Sequence, residues 1–159
     1  MLNYPNRNPQ QLSPDGLDFI KRFEGLSLEP YKCAAGVWTV GYGHTGTLPD
    51  GTPVKDAGEI TEPEAEDLLE LDTQVAANDV NSLSLELTQE QFDALVSFVY
   101  NVGAPAFEKS KLYQAILNQD VDDIEPQFMR WVHAGGKRVR GLVNRRAAEA
   151  KLFLTGQYE

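Results

Sequence analysis

The chain has 159 residues, 42% of them hydrophobic, which is enough to bury one core and is about the size of a single domain. Its formal net charge of −10 argues against a dedicated nucleic-acid binder, because phosphate contacts need a surplus of Lys and Arg. Cys33 is the single cysteine, so no intramolecular disulfide is available and packing alone must hold the fold.

The opening MLNYPNRNPQQLSP lacks the basic start and the apolar stretch of about 7 to 15 residues that a secretory signal needs. No run approaches the roughly 18 apolar residues of a membrane span, so the expectation is a protein soluble where it is made, with no membrane anchor. Residues 1–12, rich in Asn, Pro and Gln, read as an extended lead-in, and 13–159 as one domain. Ser13 can cap a helix that starts at Pro14, with Asp15 and Asp18 near its positive end and Leu17, Ile20 and Phe23 on a core-facing side. Gly25 is expected to stop this helix, leaving Glu24 in its last turn.

Residues 26–60 are rich in Gly and Pro and contain the β-favouring run Val37-Trp38-Thr39-Val40, which predicts a small twisted sheet. Thr61 and Glu64 form a capping-box pattern, followed at roughly helical spacing by Ala65, Leu68, Leu69, Val75, Ala76 and Val80. That pattern predicts a long helix over about 61–81, able to link two lobes. Thr88 and Gln91 repeat the cap signature before Phe92, Leu95, Val96 and Val99, and Asn101-Val102-Gly103 ends the segment. Further apolar sets at Leu112, Ile116 and Leu117, at Ile124, Phe128, Trp131 and Val132, and at Leu142, Val143, Ala147, Ala150 and Phe153 make the second half read as helical. The fold class is therefore α+β: a β lobe over about 26–60 beside a helical lobe over about 82–159, with a cleft between them as the default binding site.

Charge is unevenly distributed. Residues 55–129 carry 17 acids against three bases, whereas 130–159 carry seven bases (Arg130, Lys137, Arg138, Arg140, Arg145, Arg146, Lys151) against two acids. Such a run is either a solvated helix face or a docking surface for an anionic polymer.

Glu24 is the residue whose placement suggests chemistry. A carboxyl at a helix C-terminus meets partial negative charge, which disfavours ionisation and suits a general acid. The chain also passes directly from Glu24 into the Gly-rich segment, so groups of that segment can face the acid across a cleft. Glycoside hydrolysis uses that arrangement: an acid protonates the leaving oxygen while a second group activates water on the other face of the sugar.

The stretch Phe23-Glu24-Gly25, then Tyr31, then Gly36-Val37-Trp38-Thr39-Val40-Gly41-Tyr42-Gly43-His44-Thr45, resembles the phage lysozymes and endolysins of glycoside hydrolase family 24. The likeness continues through Ile60-Thr61, Gln91-Phe92-Asp93-Ala94-Leu95, Phe98-Val99-Tyr100-Asn101-Val102-Gly103 and Gly141-Leu142-Val143-Asn144-Arg145-Arg146. This resemblance implies a lysozyme-like fold and a muramidase that cuts the glycan strands of bacterial peptidoglycan for host-cell lysis. It implies no cofactor and no metal, a monomer, and a separate membrane-permeabilising protein that lets the enzyme leave the host cytoplasm for the wall. The family site is a Glu, an acid nine residues on and a Thr fifteen residues on, which here are Glu24, Cys33 and Thr39. Most relatives have Asp at the second position and a subset has Cys.

A thiol ionises near pH 8.5 and a carboxyl near 3.9, so Cys33 replaces the Asp only where its surroundings favour thiolate or where polarising water suffices. The alternative is a buried Cys acting as a small hydrophobe. Water entering opposite the leaving group implies inversion, and Thr39 would help to hold that water. The resemblance places Tyr100, Asn101 and Ser110 near the glycan and Arg145 toward the acid. His44 lacks companions at zinc spacing, since only Cys33 and His133 are available, and is expected to bond a carboxylate such as Asp72 in a structural role. Two rival functions stay open at this level: a thiol peptidase with Cys33 as nucleophile and His44 as base, and a non-catalytic lysozyme-fold module for wall binding.

Overall fold

The computed structural model describes residues 9–159. The extended lead-in expected over 1–12 therefore falls mostly outside the described residues. Its last part is tied down: Gln10 exchanges hydrogen bonds with the Asn81 side chain, Gln89 donates to the Gln11 carbonyl at 2.8 Å, and Leu12 packs against the core.

Helix α1 spans Pro14–Lys21, with the Ser13 hydroxyl accepting from Gly16 N–H as the N-cap. The helix ends earlier than the sequence suggests, with Arg22 as its C-cap, so Gly25 is not the stop and Glu24 stands in the turn beyond. Three antiparallel strands follow, β1 (Ser27–Lys32), β2 (Trp38–Gly41) and β3 (His44–Thr45), in the order β1-β2-β3. Cys33 and Gly36 close the β1–β2 turn, through Gly36 N–H to the Cys33 carbonyl at 2.8 Å and Cys33 N–H to the Val37 carbonyl at 2.9 Å. Gly36 has φ +79°, the left-handed residue that a tight hairpin of this kind requires.

Helix α2 (Glu62–Ser82) begins with the complete Thr61/Glu64 capping box. Its buried face is Ala65, Leu68, Leu69, Thr73, Ala76, Ala77 and Val80. Val75, expected in the core, lies out of phase with this series and is 64% exposed. Helix α3 (Gln89–Val102) starts with the second box and is buried on every side from Phe92 to Val99, as the central helix of the larger lobe. It packs chiefly on α7 and α2. Short helices α4 (Ala104–Glu108), α5 (Lys111–Leu117) and α6 (Val121–Phe128) wrap round it, with Phe98 meeting Phe107, Phe128 and Trp131 edge to face.

The second half is not wholly helical. Strands β4 (His133–Ala134) and β5 (Lys137–Arg138) form a hairpin whose turn residues Gly135 and Gly136 have φ +58° and +77°, a pattern only glycine adopts freely. Helix α7 (Arg140–Thr155) follows, and here too the core differs from the expected set. Ala147 is exposed, and Leu117 of α5 is 47% exposed. The buried side of α7 carries Arg145, Arg146 and Glu149 together with Ala150, Leu152 and Phe153.

Candidate active site

The site begins where α1 stops. The backbone N–H of Glu24 still donates to the Ile20 carbonyl at 3.2 Å and the Lys21 carbonyl at 3.3 Å, so the residue is fixed against the end of the helix although it is no longer part of it. Its carboxyl turns toward α7, where Arg145 Nη1 donates to Glu24 Oε1 at 2.8 Å. Arg145 is 4% exposed in this pair and Glu24 21%, so the carboxyl keeps one side open to solvent while the cation is enclosed. On the other side, Gly43 brings the β2–β3 turn alongside: a Cβ placed there would lie 3.7 Å from Glu24 Oε2. The φ of +96° at Gly43, more than lack of space, calls for glycine.

Cys33 and Thr39 come together on the β1–β2 hairpin. Backbone N–H bonds from Val37 and Ala35, joined by the Thr39 hydroxyl, hold the Cys33 thiol below the usual range for a cysteine. Thr39 is buried, and its hydroxyl also donates to the Val37 carbonyl at 3.0 Å. One hydroxyl hydrogen cannot serve the sulfur and the Val37 carbonyl at once, while in either arrangement the Thr39 oxygen keeps a lone pair for a water's hydrogen. Cys33 is half-buried, not enclosed in the core, which removes the small-hydrophobe reading of this residue.

His44 Nδ1 lies 2.9 Å from Asp72 Oδ2, and His44 Nε2 lies 2.7 Å from the Thr47 carbonyl. Both ring nitrogens are thereby engaged, and the imidazole ties β3 to α2. Tyr100 on α3 is partly buried; burial raises its phenol above the ordinary range, and the neighbouring Glu24 and Asp72 carboxylates add to this. Glu24, Arg145, Tyr100 and Asp72 therefore form one electrostatic neighbourhood.

Asn101 and Ser110 are committed elsewhere. The Asn101 amide oxygen accepts from Arg146, and the buried Ser110 hydroxyl donates to the Phe107 carbonyl at 2.6 Å and caps α5 by accepting from Tyr113 N–H. The structure thus does not offer the Ser110 hydroxyl as a sugar contact.

Sequence reasoning missed the support behind Arg145. Its Nη2 donates to the Ser97 carbonyl at 3.2 Å and its Nε to Glu149 Oε2 at 3.3 Å. Ser97 Oγ donates to Glu149 Oε2 at 2.6 Å, and the other Glu149 oxygen accepts from Arg146. Arg146 continues to the Trp131 carbonyl at 2.9 Å. Glu149 has no exposed surface, and Arg146 is 1% exposed. The available signal was the phase of α7, in which these charges fall where apolar residues would be expected.

No group of three or more His, Cys, Asp or Glu able to hold a metal occurs among the described residues. Two surface hollows of about 500 and 550 Å³ lie away from Glu24, one between α1 and α2 and one between α5, α6 and the end of α7. Hydrogen-bond geometry, not volume, locates the site.

The phage lysozyme family model matches residues 21–149. The chain belongs to the phage lysozyme family. It is 44% identical over 92% of its length to the endolysin of Bacillus phage PZA, and the match covers 56% of that relative, so the chain spans little more than half the length of the Bacillus phage protein. A solved endolysin from Escherichia coli O157:H7 phage FAHEc1 superposes with a TM-score of 0.84 at 38% identity, covering 96% of this chain and 99% of the other. The muramidase domain of SpmX from Asticaccaulis excentricus superposes at 0.79 with 34% identity, covering 92% of this chain and 99% of that one. The family's lysozyme-like architecture is thus the fold of this chain.

Proposed function

We propose that this protein is an endolysin-type muramidase that hydrolyses the β-1,4 bond between N-acetylmuramic acid and N-acetylglucosamine in bacterial peptidoglycan and so lyses the host cell. The observation that carries the reading is the Glu24 carboxyl, clamped by Arg145 between the end of α1 and the β2–β3 turn in a phage lysozyme chain. Glu24 gives its proton to the glycosidic oxygen as the C1–O bond breaks. Water attacks C1 from the opposite face, and Cys33, as thiolate, takes its proton while Thr39 holds the oxygen in line. The anomeric centre inverts, and the sulfur forms no bond to carbon. As Glu24 becomes a carboxylate, the Arg145 guanidinium is already in place to receive the charge.

Tyr100 and Asn101 line the approach to this centre in the same reading. The hairpin β4–β5 supplies a docking surface for the anionic wall polymer: Arg130, His133, Lys137, Arg138 and Arg140 are all exposed, and no acid occurs between Glu125 and Glu149. The enzyme works as a monomer and reaches the wall after a separate membrane-permeabilising protein acts.

The chemistry of the products tests the proposal. Incubation with purified cell walls should release new reducing ends and no new amines, with inverted anomeric configuration at the first turnover. New amines would instead indicate a peptidase acting through Cys33, a route for which both His44 ring nitrogens are already engaged by Asp72 and the Thr47 carbonyl. Wall binding without solubilisation and with neither product would leave a binding module.

A further inference from the structure

A protein of this size rarely encloses two arginines and a glutamate, and this one stacks them directly behind the candidate acid. Arg145 faces Glu24 on one side and Glu149 on the other; Glu149 faces Arg145 and Arg146; Arg146 ends on the Asn101 amide and the Trp131 carbonyl. Every buried polar side-chain atom among the described residues has a partner, so the row is fully bonded and its charges are fixed in position. With Glu24 ionised, the four charges cancel. With Glu24 protonated, as a general acid must be, the row carries one net positive charge.

We infer that Glu149 is a positioning residue for the reaction: it holds Arg145 against Glu24 and offsets the guanidinium charge, so that the acid can retain its proton, while Arg146 limits that offset. The rate consequence rests on the reading of Glu24 as the general acid; the electrostatic coupling does not. The physical reason is short distance behind a carboxyl that is open to solvent on one side only, with Arg145, Glu149 and Arg146 all buried. Charges one guanidinium apart in a buried site are weakly screened, so neutralising one of them acts on its neighbours at a strength that water would remove.

The sign follows from which charge is removed. Glu149→Gln preserves shape and the bond from Ser97 but removes the carboxylate between the two arginines, leaving Glu24 as the one carboxylate of the row, which favours ionised Glu24. Arg146→Met leaves Glu149 free to offset Arg145 more completely, which favours protonated Glu24. The other titratable groups of this neighbourhood belong to different elements and are unchanged in both variants: Tyr100 on α3 and Asp72 on α2, with the His44 it binds on β3. They set a common background, and the two substitutions differ only in charge behind Arg145.

The test is a side-chain carboxyl carbon NMR titration of Glu24, its resonance assigned by its disappearance in Glu24→Gln. The midpoint should move to lower pH by about one unit in Glu149→Gln and to higher pH in Arg146→Met, and should return near the wild-type value in the double variant. Shifts of the same sign, or none beyond about 0.2 unit, would overturn the inference and leave Glu149 as packing alone. If a single variant does not fold, the other single and the neutral double variant, which replaces a buried pair with groups of similar size, still report the sign. Wall digestion by the same proteins separates the two levels. An active Glu24→Gln refutes the acid assignment, while an inactive Glu24→Gln with unshifted midpoints refutes only the role of Glu149.

Discussion

At the scale of single residues, Cys33 makes the sharpest prediction because its environment has a definite direction. Bonds from the Val37 and Ala35 amides and the Thr39 hydroxyl favour the thiolate, so ionised sulfur should persist to lower pH than in a free cysteine. Iodoacetamide modification should therefore reach half its maximal rate below the pH found for free cysteine, and the modified protein should lose wall-lytic activity. Undiminished activity after mass-spectrometric proof of complete modification would contradict a role for the thiol. Cys33→Asp should remain active, since orienting water and taking its proton require a base but no sulfur. The resemblance named Glu24, Cys33 and Thr39 as the proposed site, and the structure sets Glu24 against Arg145 and Cys33 beside Thr39. Behind Arg145, Glu149 was not legible, because a charged residue on a basic helix is ordinarily solvated and only its phase with Leu152 and Phe153 places it inside.

At the scale of elements, local patterns carried the most reliable information. Both capping boxes occur where Thr61/Glu64 and Thr88/Gln91 predict them, since a cap is settled by residues within one turn. Thr88→Ala should cost about 1 kcal/mol in chemical denaturation, and Val75→Gln on the exposed side of α2 less than about 0.5 kcal/mol. A larger cost for Val75→Gln would mean that its face is covered in solution. Gly16 should be the intolerant position in α1: an added Cβ would lie 2.5 Å from Asp93 Cγ and 2.7 Å from Leu12 Cδ1. Gly16→Ala is expected to lower stability by about 1 to 3 kcal/mol, despite the better helix propensity of alanine. The hairpin at 133–138 escaped a reading tuned to helical spacing, although its Gly135-Gly136 pair carried the turn signal.

At the scale of the whole molecule, the start of α1 and the C-terminal tail meet at one buried carboxylate. Asp93 on α3 accepts from Ser13 N–H at 3.1 Å and from the Tyr158 hydroxyl at 2.7 Å, closing α1 and the C-terminal tail over the helical lobe. Burial first, and the bond to Asp93 with it, raises the Tyr158 phenol to about 12. The folded state thus holds this proton more tightly than the unfolded chain, whose phenol ionises near pH 10. The stabilisation is complete below that pH and is lost as pH rises toward 12. Thermal midpoints between pH 9 and 12 should accordingly fall more steeply for the wild type than for Tyr158→Phe. Charge organisation gives a second expectation at this scale. Neutralising Lys137, Arg138 and Arg140 together should weaken binding to insoluble walls at low ionic strength, with the difference fading near 1 M salt. Glu24, across the fold from that hairpin in sequence yet joined to α7 through Arg145, is where these levels converge. The most direct test of the account is release of reducing ends from purified peptidoglycan by wild type and by Glu24→Gln under identical conditions. The account predicts a loss of at least about a hundredfold with the fold intact by circular dichroism, and near-wild-type release by the folded Glu24→Gln protein would contradict it.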